Sequence, residues 1–152
     1  MTGFKILVPH DGSEESDKAL FKCQQFAIAL KAEVIVLYVI DHEFASSTIL
    51  GFIDNKTSLE QAKKQLKDLL KKGMEVMLEN RIKELKENKI IARFDVISGS
   101  PSSKIINYAK ENKIDLIIMA SKRLERFDKI YGIGSVARKV SEGAPCPVMI
   151  IH

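Results

Sequence analysis

"FKILVPHDGSEESDKAL", residues 4–20, is the stretch on which the fold turns. "FKILVPH" (4–10) is an apolar, β-branched run too short for a helix, and "PHDGS" interrupts it before a new pattern begins. From 14 to 30, Ser16, Leu20, Cys23, Ala27 and Leu30 recur at helical spacing and form one stripe. A strand, a polar turn and an amphipathic helix make the first half of a β–α–β unit. The same short run returns as "EVIVLYVI" (33–40), "IIARFDVI" (90–97), "DLIIMAS" (115–121) and "PVMIIH" (147–152). Hydrophobicity along each is continuous rather than alternating, as a parallel strand covered on both faces requires.

Helical patterns lie between these runs. From 58 to 89, Leu59, Ala62, Leu66 and Leu69 begin a stripe that Leu78, Ile82 and Leu85 continue, with a Lys-rich outer side. Ser58 and Gln61 have capping-box spacing, Ser100 before Pro101 reads as an N-cap with proline at the first helical position, and Gly143 is placed to end a helix begun near Ser135. Strands alternating with helices predict an α/β fold of Rossmann-like class: an open five-stranded parallel sheet with helices on both faces and right-handed crossovers. At 152 residues and 45% hydrophobic content, residues 1–152 are expected to make one domain. The stretch 41–57 is the long irregular connection, either a lid over a ligand or a plain surface excursion.

Composition narrows the function classes. A net charge of +4, with 20 acidic residues present, does not indicate a general nucleic-acid surface, and no apolar run approaches the ~20 residues that cross a bilayer. The N-terminus enters a strand-like run without a charged leader, so a cytoplasmic protein is expected. Cys23 and Cys146 make neither a disulfide framework nor a spaced metal motif, and Cys23 reads as a small core residue. The basic run at 121–129, with Lys122, Arg123, Arg126 and Lys129, is either a solvated loop or a phosphate neighbour.

In an open α/β sheet, ligands bind beyond the carboxyl ends of the strands, where strand order reverses. That selects Pro9, His10 and Asp11 after the first strand, Val39 to Asp41 at the end of the second, Gly99 and Ser100 after the third, and Met119 to Arg123 after the fourth. "YGIGSVARKV" (131–140) formally spells G-x-G-x-x-A, but it does not sit at the first strand-to-helix turn and is not followed by the acidic residue that a dinucleotide site expects. A Walker A loop is absent, and a phosphoryl-accepting receiver would need clustered carboxylates where only Asp11 stands. Ser135, at the start of the last helix, has two readings: a helix cap, or a donor to a phosphate attracted by the helix dipole. Asp11, with Glu14 three residues on, also has cap spacing for the first helix, and His10 is either a pH-responsive neighbour of a ligand or a hydrogen-bonded interior histidine.

These residues resemble the universal stress protein family. "ILVPHDGSEESDKAL" (6–20) is similar to its opening strand and turn, "VIVLYVID" (34–41) to its second strand, and "GSPSSKIINYAKENKIDLIIMAS" (99–121) to its third helix and fourth strand. "GSVARKVSEGAPCPVMII" (134–151) is similar to its closing helix and strand. The resemblance implies strand order 3-2-1-4-5, a homodimer joined through the last strand (147–152), and in one subclass an ATP or AMP site. Members of that subclass carry Gly, two residues, Gly, nine residues, then Gly with Ser or Thr. Gly134 and Ser135 match the closing pair, but Ala120 and Arg123 stand where the first two glycines are expected, and the loop is one residue longer.

The expected site therefore comprises Pro9, His10, Asp11, Val39, Met119, Ala120, Ser121, Lys122, Arg123, Gly134, Ser135 and Val136, holding ATP, ADP or AMP with Mg²⁺ bound mainly through the phosphates. The resemblance puts Asp11 near the ribose or adenine and the Val39 backbone on adenine. Lys122 and Arg123 either meet the phosphates with side-chain charge or, in the case of Arg123, fill their space and leave a nucleotide-free dimeric interaction protein. No nucleophile–base pair is evident in the sequence, so a nucleotide-responsive stress or regulatory protein with at most slow ATP hydrolysis is expected.

Overall fold

The structure, a computed structural model, describes residues 3–41, 56–121 and 134–152. In chain order these form β1 (Lys5–Pro9), α1 (Glu14–Leu30), β2 (Glu33–Asp41), α2 (Lys56–Glu87), β3 (Ala92–Gly99), α3 (Pro101–Glu111), β4 (Leu116–Ala120), α4 (Ser135–Gly143) and β5 (Val148–Ile151). All strand pairings are parallel and the sheet order is β3-β2-β1-β4-β5, as the resemblance implies.

The continuous apolar runs are explained by cover on both faces. Alternate strand residues Ile6, Val8, Val34, Val36 and Ile118 pack with Leu20, Cys23 and Ala27 of α1 and Leu78, Ile82 and Leu85 of α2. The intervening Leu7, Ile35, Leu37, Ile117 and Met119 pack on the other face with Ile105, Tyr108 and Ala109 of α3 and Ala137 and Val140 of α4. Cys23 is fully buried and its thiol is pushed up to about 12 by burial, which makes it a core residue and not a reactive one. No helix among the described residues is long and apolar enough to cross a membrane.

Several boundaries differ from the sequence expectations. Ser13, not Asp11, caps α1, its side chain accepting the Ser16 N–H at 3.2 Å; Asp11 lies two residues before the cap, and its Oδ1 accepts the Ser13 N–H instead. Gly134 occupies the N-cap of α4, so Ser135 is the first helical residue and not the cap. Ser58 falls inside the first turn of α2, which begins at Lys56. Ser100 and Pro101 hold their expected places at the cap and first position of α3.

Two stripe residues are exposed. Leu30 is the last residue of α1, where the chain turns at Lys31 and Ala32 takes the buried place. Leu69 precedes Leu78 by nine residues, which at ~100° per residue places the two on opposite sides of one straight helix. Leu78 is buried and Leu69 is exposed, so the inward face of the first half of α2 passes through Leu70 instead. Residues 42–55 and 122–133, with Lys122, Arg123 and Gly132, lie outside the described residues.

Candidate functional site

The chain leaves β1 to build β2 and β3 on one side and returns to build β4 and β5 on the other, so strand order reverses between β1 and β4. Their pairing runs through Ile6↔Leu116 and Leu7↔Ile117 and stops, whereas β1 stays paired with β2 to Pro9↔Leu37 and β4 with β5 to Ala120↔Ile151. Pro9 supplies a reason. The His10 N–H donates to Leu37 O at 2.8 Å on the β2 side, while Lys5 N and O meet Asp115 on the β4 side. Alternation along the strand therefore turns Pro9 toward β4, and proline has no N–H to give. Beyond that point the two strand ends are free to part.

A cavity of about 400 Å³ opens there. Of the residues expected at the site, Pro9, His10, Asp11, Val39, Met119, Ala120, Gly134, Ser135 and Val136 line it together. Ser121 stands behind the wall, buried, with its Oγ accepting the Gly134 N–H at 2.9 Å. This bond ties the start of α4 to the end of β4, residues 13 positions apart in the chain. It also commits the cap N–H, leaving the amides of Ser135, Val136 and Ala137 as the helix-start donors that have no intrahelical acceptor. Lys122 and Arg123 lie outside the described residues.

The turn after β1 is held by a dense set of hydrogen bonds. Asp11 Oδ1 accepts from the Ser13 N–H at 2.9 Å and from Ser16 Oγ at 2.7 Å, while the Asp11 N–H donates to Ser16 Oγ at 3.2 Å. Gly12 has φ +86°, a conformation that favours glycine, and its N–H donates to His10 Nδ1 at 3.0 Å. His10 Nε2 lies 2.9 Å from Asp17 Oδ1, and Arg81 of α2 grips Asp17 with Nε at 2.8 Å and Nη2 at 3.0 Å. Partial burial works to raise the Asp17 carboxyl, but hydrogen bonds from Arg81 and His10 and their charges outweigh it and hold the group below its ordinary value. Both imidazole nitrogens are thus engaged, and His10 is an interior hydrogen-bonded histidine with no nitrogen left to serve as a base toward the cavity.

Ile40 and Asp41, selected from the end of the second strand, also line the cavity. The sequence reading missed Tyr38 and Leu70, and Pro101 and Ile105 of α3, which complete the wall. Burial, and then the charge of Asp11, push the Tyr38 phenol above its ordinary value, so Tyr38 and the Asp11 carboxylate share one end of the site. Asp41 and Ile40 carried a signal in their place at the end of β2; Leu70 carried none, because its neighbour Leu69 fitted the stripe better. Among the described residues no cluster of three or more metal-binding side chains is present.

Chemically, the cavity offers an apolar wall of Val39, Ile40, Met119 and Ile105, a carboxylate at Asp11, and amide donors with a hydroxyl at the start of α4. A flat apolar group, a polyhydroxyl and an anion each have a complementary surface here.

Comparison with known proteins identifies the family. The Universal stress protein family model matches residues 4–152, and the chain belongs to that family. It is 30% identical over 150 residues to the universal stress protein YxiE of Bacillus subtilis, covering 97% of this chain and 98% of that one. It is also 30% identical over 152 residues to the universal stress protein MJ0577 of Methanocaldococcus jannaschii, covering 97% of this chain and 93% of that one. The solved structure of MJ0577 superposes with TM-score 0.81 at 28% identity, over 99% of this chain and 96% of that one. A universal stress protein solved in complex with cAMP shares the fold (TM-score 0.67, 18% identical, 100% and 98% covered), as does one from Archaeoglobus fulgidus in complex with dAMP (TM-score 0.62, 19% identical, 100% of both chains).

Proposed function

We propose that residues 1–152 act as one domain that binds an adenine nucleotide, ATP, ADP or AMP, in the crevice between β1 and β4, and that the protein is a nucleotide-responsive stress or regulatory protein. The observation that carries this reading is the cavity itself: residues chosen from strand ends and from the start of α4 converge on one space of about 400 Å³. That volume lies in the range of ~300–1,000 Å³ common for small-ligand sites. Adenine is assigned to the apolar wall beside Val39, ribose to the Asp11 carboxylate, and phosphate to the amides of Ser135 and Val136 with the Ser135 hydroxyl. The related structures holding cAMP and dAMP support the nucleotide class.

When bound, Mg²⁺ would be held mainly through the phosphates and would neutralise their oxygens. His10 has both ring nitrogens engaged and offers no base for water attack on a terminal phosphate, so hydrolysis is at most slow. Ala120, matching the first family glycine, adds a methyl to the wall; Arg123, matching the second, is assigned to phosphate charge. Pairing of two copies through the open edge of β5 is part of the same proposal, since an edge strand presents unpaired backbone groups to a partner.

Calorimetric titration and thermal melting with ATP and AMP test the reading. At a hundredfold excess over Kd, binding should stabilise the fold by about 2.7 kcal/mol and raise Tm by several degrees. An absence of heat and of any Tm rise at millimolar nucleotide would overturn it. Binding that appears only after Arg123→Gly would identify the nucleotide-free member of the family instead.

A further inference from the structure

The hydrogen-bond chain Arg81–Asp17–His10–Gly12 runs from α2, through α1, into the turn that carries Asp11. Its direction is fixed by the donors. A backbone N–H donates to Nδ1, so Nδ1 holds the lone pair and Nε2 holds the proton that Asp17 accepts. The His10 side chain is fully buried and also lines the cavity.

We propose that His10 is a positioning residue for the ligand site, holding the Asp11–Gly12 turn through its unprotonated Nδ1 and releasing that turn when Nδ1 is protonated. The imidazolium has donors at both nitrogens. Nδ1–H then faces the Gly12 N–H, donor against donor, while Nε2–H stays with Asp17, whose two oxygens are clamped by Arg81. The side chain is fully buried, so the ring has no solvent to turn toward and the soft element is the Gly12 peptide. Its φ of +86° is retained among contacts that include the bond to Nδ1. Asp11 is the next residue back, and its hold on Ser13 N and Ser16 Oγ shifts with the peptide.

The charged and titratable groups facing His10 from the elements packed around it are Asp17 of α1, Arg81 of α2 behind it, Asp11 in the turn, and Tyr38 of β2 at the same end of the cavity. The protonation state of the His10 ring is the input to which the turn responds. Acidification should loosen the turn and weaken a ligand that contacts Asp11.

The test has two arms, and only the second rests on the nucleotide reading. In the first, nitrogen-15 NMR follows the ligand-free protein from pH 8 to 5. The expected result is an Nε2–H tautomer at pH 8 and amide shifts of Gly12 and Ser13 that track the imidazole titration, both absent from His10→Asn, whose amide oxygen supplies an acceptor that does not titrate. An Nδ1–H tautomer at pH 8, an imidazole that does not titrate above pH 5, or Gly12 and Ser13 amides indifferent to it would overturn the proposal.

In the second arm, affinity for adenosine, which carries no titrating phosphate, is measured over the same range. The parent should lose affinity progressively as pH falls from 8 to 5, whereas His10→Asn stays level. Equal pH dependence in the two proteins would overturn the proposal. Failure of either protein to bind adenosine or AMP at any pH would count against the nucleotide reading, with the first arm still deciding the role of His10.

Discussion

Replacing Ser121 by alanine removes the hydroxyl that accepts the Gly134 amide. The residue is 3% exposed, its backbone N–H donates to Ile151 O at 3.1 Å in any variant, and its Oγ accepts the Gly134 N–H at 2.9 Å. Taking the hydroxyl away leaves a half-buried amide at the cap of α4 without its acceptor. A buried donor left unmatched costs roughly 1–3 kcal/mol, and partial access to water at Gly134 puts this case toward the lower end, about 1–2 kcal/mol. For a chain of this length each kcal/mol moves Tm by roughly 2–4 °C, so Ser121→Ala should melt roughly 2–8 °C below the parent without ligand. Ser135→Ala is the matched control one residue past the cap. Its hydroxyl is exposed and caps nothing, so stability should change by less than about 0.5 kcal/mol. Its nucleotide affinity should nevertheless fall roughly tenfold, as expected when a hydrogen bond to a charged group is lost. Differential scanning calorimetry on the ligand-free proteins and titration with AMP separate the two effects. Equal melting temperatures for Ser121→Ala and the parent, or a Ser135→Ala loss as large as that of Ser121→Ala, would refute the reasoning that Ser121 latches α4 while Ser135 faces the ligand.

Leu78→Ala should cost about 3–5 kcal/mol in urea unfolding and Leu69→Ala less than about 0.5, because the first is fully buried and the second exposed on the opposite side of α2; comparable losses would show that α2 is turned differently. Asp17→Asn should lower Tm most near neutral pH. The folded Asp17 carboxyl lies below its ordinary value of 3.8, so its stabilisation is present above that value and is lost as pH falls through the lower folded one. The Tm gap between parent and variant should therefore close below about pH 4; a gap that widens with acid would contradict the assignment.

The order of elements and the class of sheet were legible because covered parallel strands cannot avoid continuous apolar runs, and Ile6–Val8 and Val34–Leu37 are buried throughout. The crevice was legible by the same route, since strand ends are easy to place and Pro9, Asp11, Val39, Met119 and Gly134 all reach it. What the sequence hid depends on contacts distant along the chain. Leu70 lines the cavity and Leu69 does not, a distinction set by the rotation of α2, and the apolar spacing in that helix fits two incompatible faces. The cap of α1 was misplaced because Asp11 and Ser13 both belong to the residue types that cap helices, and only the path of the turn at Gly12 assigns the role. The Arg81–Asp17–His10 chain spans residues 10 to 81 and has no local signature at all.

The central claim is that one adenine nucleotide sits across the carboxyl ends of β1 and β4. Amide chemical-shift mapping of the full chain during titration with AMP tests it most directly. The account predicts saturable shifts concentrated at Asp11, Gly12, Val39, Ser135 and Val136, with the β3 edge and the outer side of α2 unmoved. Shifts centred away from these residues, or none at millimolar AMP, would contradict it.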